Sequence, residues 1–205
     1  MDFYEVVNNR RTVRDFSQKQ VPEDSLSRIL QAAFKAPTND HLRQWEIVVL
    51  QERESIENAL EQVREKAGLQ QNALASRPLD DFQRRMYADA VPKQYRMLSQ
   101  SGCLLLPFYR QNGDLLHPVA LQSLNGFASI WCCIEHILLA AAAEGLGCAI
   151  RIPVGEEWKF VARQVGAPEG YVMPCYIAVG YPAEDAIRPA QEPLELVRKI
   201  HKEKW

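Results

Sequence analysis

Residues 126–144, reading GFASIWCCIEHILLAAAAE, constrain the fold more than any other part of the chain. Their apolar side chains cover nearly every side of a helix, so that helix has to be buried all round, in the core or against another subunit. Gly145-Leu146-Gly147 closes it, because glycine accepts the left-handed backbone in which helices commonly end. A helix of this kind points towards an oligomer. With 205 residues and 47% hydrophobic content the chain can build a full core, and its length favours one domain over residues 1–205.

The other segments alternate helix and strand periods. Residues 2–9 suit a short helix. Val21-Pro22-Glu23-Asp24 opens a second, with proline at an early position and acids in the first turn. Leu26, Ile29, Leu30, Ala33 and Phe34 then form one apolar stripe that stops at Ala36-Pro37. Residues 45–50 read as a buried strand and 53–66 as an exposed amphipathic helix. Further strands are expected at 103–108, 148–152 and 172–180, with a helix at 156–165, which makes an α+β layout. Residues 68–96 are polar and aperiodic and are expected to be a variable excursion. Pro182, Pro189 and Pro193 break up a charged arm, 182–205, suited to embracing a partner subunit.

Composition removes several function classes. The net charge is -2 and no long Lys/Arg run occurs, so no nucleic-acid partner is expected. Sixteen of the 24 basic residues are arginine, the side chain better suited to gripping phosphate or carboxylate through two hydrogen bonds. The histidines lack helical i, i+3 or i+4 pairing, so no metal is expected. The five cysteines sit in apolar segments without a C-x-x-C and read as reduced core residues. The opening MDFYEVVNNRR lacks the basic end and apolar run of a leader, so a cytoplasmic location without a membrane partner is expected.

Two polar segments carry the chemistry. In Asn9-Arg10-Arg11-Thr12-Val13-Arg14-Asp15-Phe16, an extended backbone would project Arg10, Thr12 and Arg14 from one face, a set suited to a phosphate and polar ring atoms, or else an exposed basic turn. In 36–45, APTNDHLRQW, short hydrogen-bonding side chains connect a helix to a strand; the segment is either a ligand-gripping loop or an ordinary turn. Lys93 and Arg96 read as a solvated helix face, Cys132-Cys133 as packing, and Glu135 and His136 as groups that satisfy each other or the backbone.

These segments resemble the nitroreductase family. RRTVRDF is similar to its opening Arg-Arg-Ser/Thr-x-Arg/Lys-x-Phe, APTNDHLRQW to its Ala-Pro-Ser-x-x-Asn-x-Gln-Pro-Trp, and Glu144-Gly145-Leu146-Gly147-Cys148 to its Gly-Leu-Gly segment. The resemblance implies a nitroreductase-like α+β fold, a central mixed but mainly antiparallel sheet flanked by helices, in an intertwined homodimer. It implies FMN as cofactor, NADH or NADPH as reductant, and a small-molecule acceptor such as a nitroaromatic or quinone. It places Arg10, Arg11, Thr12 and Arg14 in the cofactor site, with Arg10 at the phosphate or ribityl chain, Thr12 at the pyrimidine edge and Arg14 at the N1/O2 side. Pro37, Thr38, Asn39 and His41 would line the same site from the other subunit. Arg151 and Ile152 stand where a backbone N–H approaches flavin N5, and Arg188 is the nearest candidate for a C-terminal phosphate contact. No side chain is expected to act as nucleophile or general acid, since the cofactor carries the hard chemistry. Alternatives on the same fold are dehalogenation, azoline oxidation, flavin fragmentation, or a non-catalytic FMN-binding sensor. The chain departs from the family pattern at His41, Arg43, Gln44 and Pro153.

Overall fold

A run such as Cys103-Leu104-Leu105-Leu106, apolar at every position, is stable as a strand only where both faces of its sheet are covered. The computed structural model of the protein, which describes residues 1–67, 79–191 and 193–205, has that arrangement. Strands β1 (Trp45–Leu50), β2 (Cys103–Arg110), β3 (Gly147–Arg151), β4 (Tyr171–Val172) and β5 (Tyr176–Gly180) form one sheet in the order β1-β2-β5-β3, with β4 added to β2. Every pairing between these strands is antiparallel. The parallel contribution is the single bridge between Thr12 and Cys148, through which the N-terminal segment lies beside β3.

Alternation along the strands sends successive residues to opposite cores. Cys103 and Leu105 of β2 and Ile177 and Val179 of β5 face one core, which is closed by α2 (Glu23–Ala33) and α7 (Asn125–Ala143). Leu104 and Leu106, with Tyr176 and Ala178, face the other, closed by α3 (Arg53–Ala59), α6 (Arg96–Ser99) and α8 (Glu157–Gln164). A short helix, α1 (Phe3–Asn9), precedes the first core and is opened by a capping box between Asp2 and Glu5.

Two expectations change, and a third is narrowed. The helix expected at 53–66 breaks at Leu60 (φ −101°, ψ 7°) into α3 and α4 (Glu61–Lys66). Residues 68–78 of the expected excursion lie outside the described residues, but its second half is regular: Asp80 and Gln83 form a capping box that starts α5 (Asp81–Ala90). Helix α7 is buried on one side only within a single chain. Ile130, Ile134 and Ile137 are covered, but only 39% of the most apolar stretch of Leu121–Ala143 is buried. The arm beyond Pro182 is largely exposed and carries Leu194, Leu196 and Val197 on its surface.

Candidate functional site

The site is built where the end of α7 meets the N-terminal segment. Gly145 takes φ +75°, and the bonds Gly145 N–H to Ala142 C=O (3.1 Å) and Leu146 N–H to Ala141 C=O (2.8 Å) complete a Schellman cap. Two residues later Gly147 serves a different need. A Cβ there would lie 2.6 Å from Val13 Cβ, so only glycine lets the N-terminal segment run against β3. Val13 N–H donates to Cys148 C=O at 2.9 Å and fixes the register.

Beside that contact lies a concavity lined by Arg10, Arg11 and Arg188 together with Gly145, Gly147, Cys148 and Leu138 of α7. Arg11 folds back to donate to Arg10 C=O at 2.6 Å, and Arg10 Nε stands 4.0 Å from Glu135, an exposed carboxylate. Three guanidiniums line the concavity, and the one carboxylate near them, Glu135, stands only by Arg10, which leaves a surplus of positive charge that suits a dianionic phosphate. The shared face expected of Arg10, Thr12 and Arg14 does not form. Thr12 is half-buried in its bridge to Cys148, Arg14 lies elsewhere, and the adjacent Arg11 lines the concavity with Arg10 instead.

Arg14 lies in a second cluster. Its Nη1 is 3.2 Å from Asp89 of α5, Lys93 Nζ stands 2.6 Å from both Asp89 and Asp15, and Arg96 also bonds Asp15. Lys93 is therefore not part of a solvated face, whereas Arg96 stays more than half exposed; both pair with Asp15 and hold segment 81–99 against the N-terminal motif. Burial alone would push the Asp15 carboxyl up, but the hydrogen bonds from Lys93 and Arg96 outweigh it and hold it below the usual carboxylate range.

The loop after α2 is strained. Asp40, His41 and Arg43 all have positive φ (50°, 56° and 44°), unusual for residues with a Cβ and concentrated in ligand-gripping segments. Asn39 N–H donates to Ser129 Oγ at 3.0 Å, and Asn125 Nδ2 donates to Asn39 Oδ1 at 3.0 Å, tying the loop to the start of α7. Thr38 and Asn39 line a concavity there with Trp45 and Tyr109, whereas Pro37 and His41 are exposed outside it. Ser129 and Leu138 are nine positions apart on α7, about 14 Å along its axis, so one chain does not bring Thr38 and Asn39 to the arginines.

The side chain of Arg151 turns away from the surface that Ile152 presents. Its guanidinium is buried, paired with both oxygens of Glu157 and stacked over the Tyr176 ring 5.6 Å away, because strand alternation turns it inward. The next residue, Ile152, points outward and is 54% exposed. Among the described residues its N–H donates to no group. The cysteines are free, and burial pushes the Cys148 thiol at the arginine concavity up to about 12, so it offers no thiolate nucleophile. His136 bonds Cys132 C=O at 3.0 Å and not Glu135, which faces Arg10.

The family model of the nitroreductase family matches residues 7–181. The chain belongs to the nitroreductase family. A Methanothermobacter thermautotrophicus protein, provisionally named NADH dehydrogenase/NAD(P)H nitroreductase, is 26% identical over all of this chain and 88% of its own length. An iodotyrosine deiodinase of Haliscomenobacter hydrossis is 25% identical over 92% of this chain and 82% of its own. The fold is shared with an FMN-dependent nitroreductase of Clostridium difficile, with a TM-score of 0.70 and 18% identity over 98% of each chain.

For this nitroreductase-family chain, motif reading missed Asp15, Asp89 and Glu157. The signal for Asp89 was available in the Asp80-x-x-Gln83 box, which announces a helix within the polar stretch. Nothing local announces Asp15 or Glu157, whose partners are set by the tertiary fold.

Proposed function

We propose that this chain is an FMN-dependent oxidoreductase that works as a homodimer, taking electrons from NADH or NADPH and giving them to a small oxidised acceptor such as a nitroaromatic or quinone. The observation that carries the reading is the convergence of Arg10, Arg11 and Arg188 on one concavity behind Gly145 and Gly147, a donor set that fits the FMN phosphate. When bound, FMN supplies the two-electron exchange, and the protein supplies binding and orientation. Arg10, Arg11 and Arg188 would hold the phosphate, Thr12 and Arg14 the pyrimidine side, and the Ile152 N–H, which donates to no described residue, the reacting edge of the ring.

A second copy completes the site. The uncovered apolar side of α7, the exposed Phe3 and Tyr4 of α1, and the apolar residues of the arm support a dimer, since a single chain leaves them in water. That copy would bring Pro37, Thr38, Asn39 and His41 to the first copy's arginines, across the distance one chain cannot close.

Visible spectra of the purified, desalted protein with FMN, before and after anaerobic NADH and then NADPH, test the proposal. Retained flavin that bleaches with a nicotinamide supports it, and a protein that retains no flavin overturns it. The deiodinase relative favours one further reading, reductive removal of halide from an aromatic ring. Halide release from a halotyrosine under dithionite, without nitroaromatic turnover, would select that reaction.

A further inference from the structure

The turn after β3 is held from behind by three ionic side chains that the family motifs do not include. Glu157, with a side chain fully buried, opens α8 and turns back towards β3. One oxygen pairs with Arg151 Nη1 and also accepts the Val154 N–H at 3.0 Å, while the other accepts from Arg151 Nη2 at 3.0 Å. Lys66 of α4 reaches the same turn, with Nζ 3.4 Å from Val154 C=O and 4.0 Å from Glu157 Oε1. Both backbone groups of Val154 are thus bound by charged side chains, and Pro153 has no N–H. Among the described residues, Ile152 is the one of residues 152–154 whose N–H has no partner.

Burying a carboxylate and a guanidinium costs several kcal/mol per ion before their attraction is counted, and apolar residues of similar volume often give equal or better stability. Stability alone therefore does not explain a buried pair here, whereas a need for fixed geometry does. Arg151 also stacks on Tyr176 of β5, so the turn is tied to the two adjoining strands β3 and β5 and, through Lys66, to α4.

We infer that Arg151, Glu157 and Lys66 form a positioning clamp that holds the Ile152–Pro153–Val154 turn rigid, so that the Ile152 N–H stands at one place for the reacting edge of the ring. The functional half of this inference rests on the FMN reading above; the structural half does not. Preorganised donors act without rearranging during the reaction, and a displacement of about 1 Å costs on the order of 100-fold in rate.

The test compares the parent with Glu157→Gln and with the double replacement Arg151→Met/Glu157→Leu, which removes both charges and keeps the fold if the single variant does not. In the cofactor-free proteins, hydrogen exchange at Val154 should be at least about ten-fold faster in the double variant, which leaves no acceptor at position 157, and less accelerated in Glu157→Gln, whose amide oxygen still accepts. In the FMN-loaded proteins, reduction at saturating nicotinamide should slow by about ten-fold or more with KM for the nicotinamide little changed and FMN affinity within about three-fold, because the phosphate contacts are intact. Slow Val154 exchange in the folded double variant overturns the clamp. Fast exchange with unchanged reduction rate and flavin potential overturns its role in positioning. A parent that retains no FMN overturns the proposed function instead, and the exchange measurement still decides the clamp.

Discussion

Val13 and Gly147 touch so closely that a Cβ added to the glycine would sit 2.6 Å from Val13 Cβ and 2.7 Å from Cγ2. This contact joins the first and third family motifs, which lie more than a hundred residues apart in the chain. It places the arginines of one over the backbone of the other.

Replacing Gly147 with alanine forces Val13 and its strand-like segment away from β3. The expected cost is about 1–3 kcal/mol in denaturant unfolding, as for other overpacked sites, together with weaker FMN binding. Adding Val13→Ala should restore part of the binding. A Gly147→Ala protein with parental stability and affinity would show that the segment does not need this approach.

Arg188 is expected to read the phosphate and not the ring. Arg188→Ala should weaken FMN by about ten-fold, roughly 1.4 kcal/mol, and leave riboflavin nearly unaffected, as measured by fluorescence titration. Equal losses for the two ligands would move Arg188 away from the phosphate.

Arg14 and Asp89 should act on the bound flavin with opposite signs. Arg14→Gln removes a cation that favours the negatively charged reduced ring, so affinity and potential should both fall. Asp89→Asn frees Arg14 from its partner at 3.2 Å, so the potential should rise. A ten-fold change in relative affinity for the two redox states corresponds to about 30 mV for a two-electron couple. Shifts of the same sign in both variants would contradict this arrangement.

The cluster around Asp15 should make stability depend on pH at both extremes. The Asp15 carboxyl is held below its ordinary value of 3.8, so its contribution is complete above that value and is lost as pH falls through it and below. Lys93 loses some basicity to burial but gains more from Asp15 and Asp89 and ends above its ordinary 10.5, so its contribution is complete below that pH and is lost above. Asp15→Asn should cost about 2 kcal/mol at neutral pH, mostly through Lys93, since Arg96 is more than half exposed and screened by water. The difference from the parent should hold from about pH 5 to 9 and shrink at pH 3. A difference that persists unchanged at pH 3 would remove the carboxylate from the explanation.

Light scattering should give a dimer, and removal of residues 182–205 should weaken it, because the arm carries exposed apolar residues and Arg188. A stable full-length monomer that binds FMN would refute the shared site.

Much of the architecture can be read along the chain because its causes are local. The uninterrupted apolar runs at 103–106 and 147–150, the Leu26/Ile29/Ala33 stripe and Gly145 at a helix end each follow from the backbone and side chains of a few neighbouring residues. The family motifs are legible for the same reason, since they are contiguous stretches of chemistry. The break at Leu60 and the regular helix α5 escaped because short polar helices give little periodic signal, although the Asp80–Gln83 box marked one of them.

The pairing of charges was settled elsewhere. Arg10, Arg11, Arg14 and Arg151 are the same side chain on paper, each free to bind phosphate, a ring edge or a carboxylate. Folding brings Asp89 to Arg14, Glu157 to Arg151, and Arg188 beside Arg10 and Arg11. Local sequence sets which backbone shapes form and which faces shed water, whereas the fate of a long charged side chain depends on whichever opposite charge the fold delivers within a few ångströms.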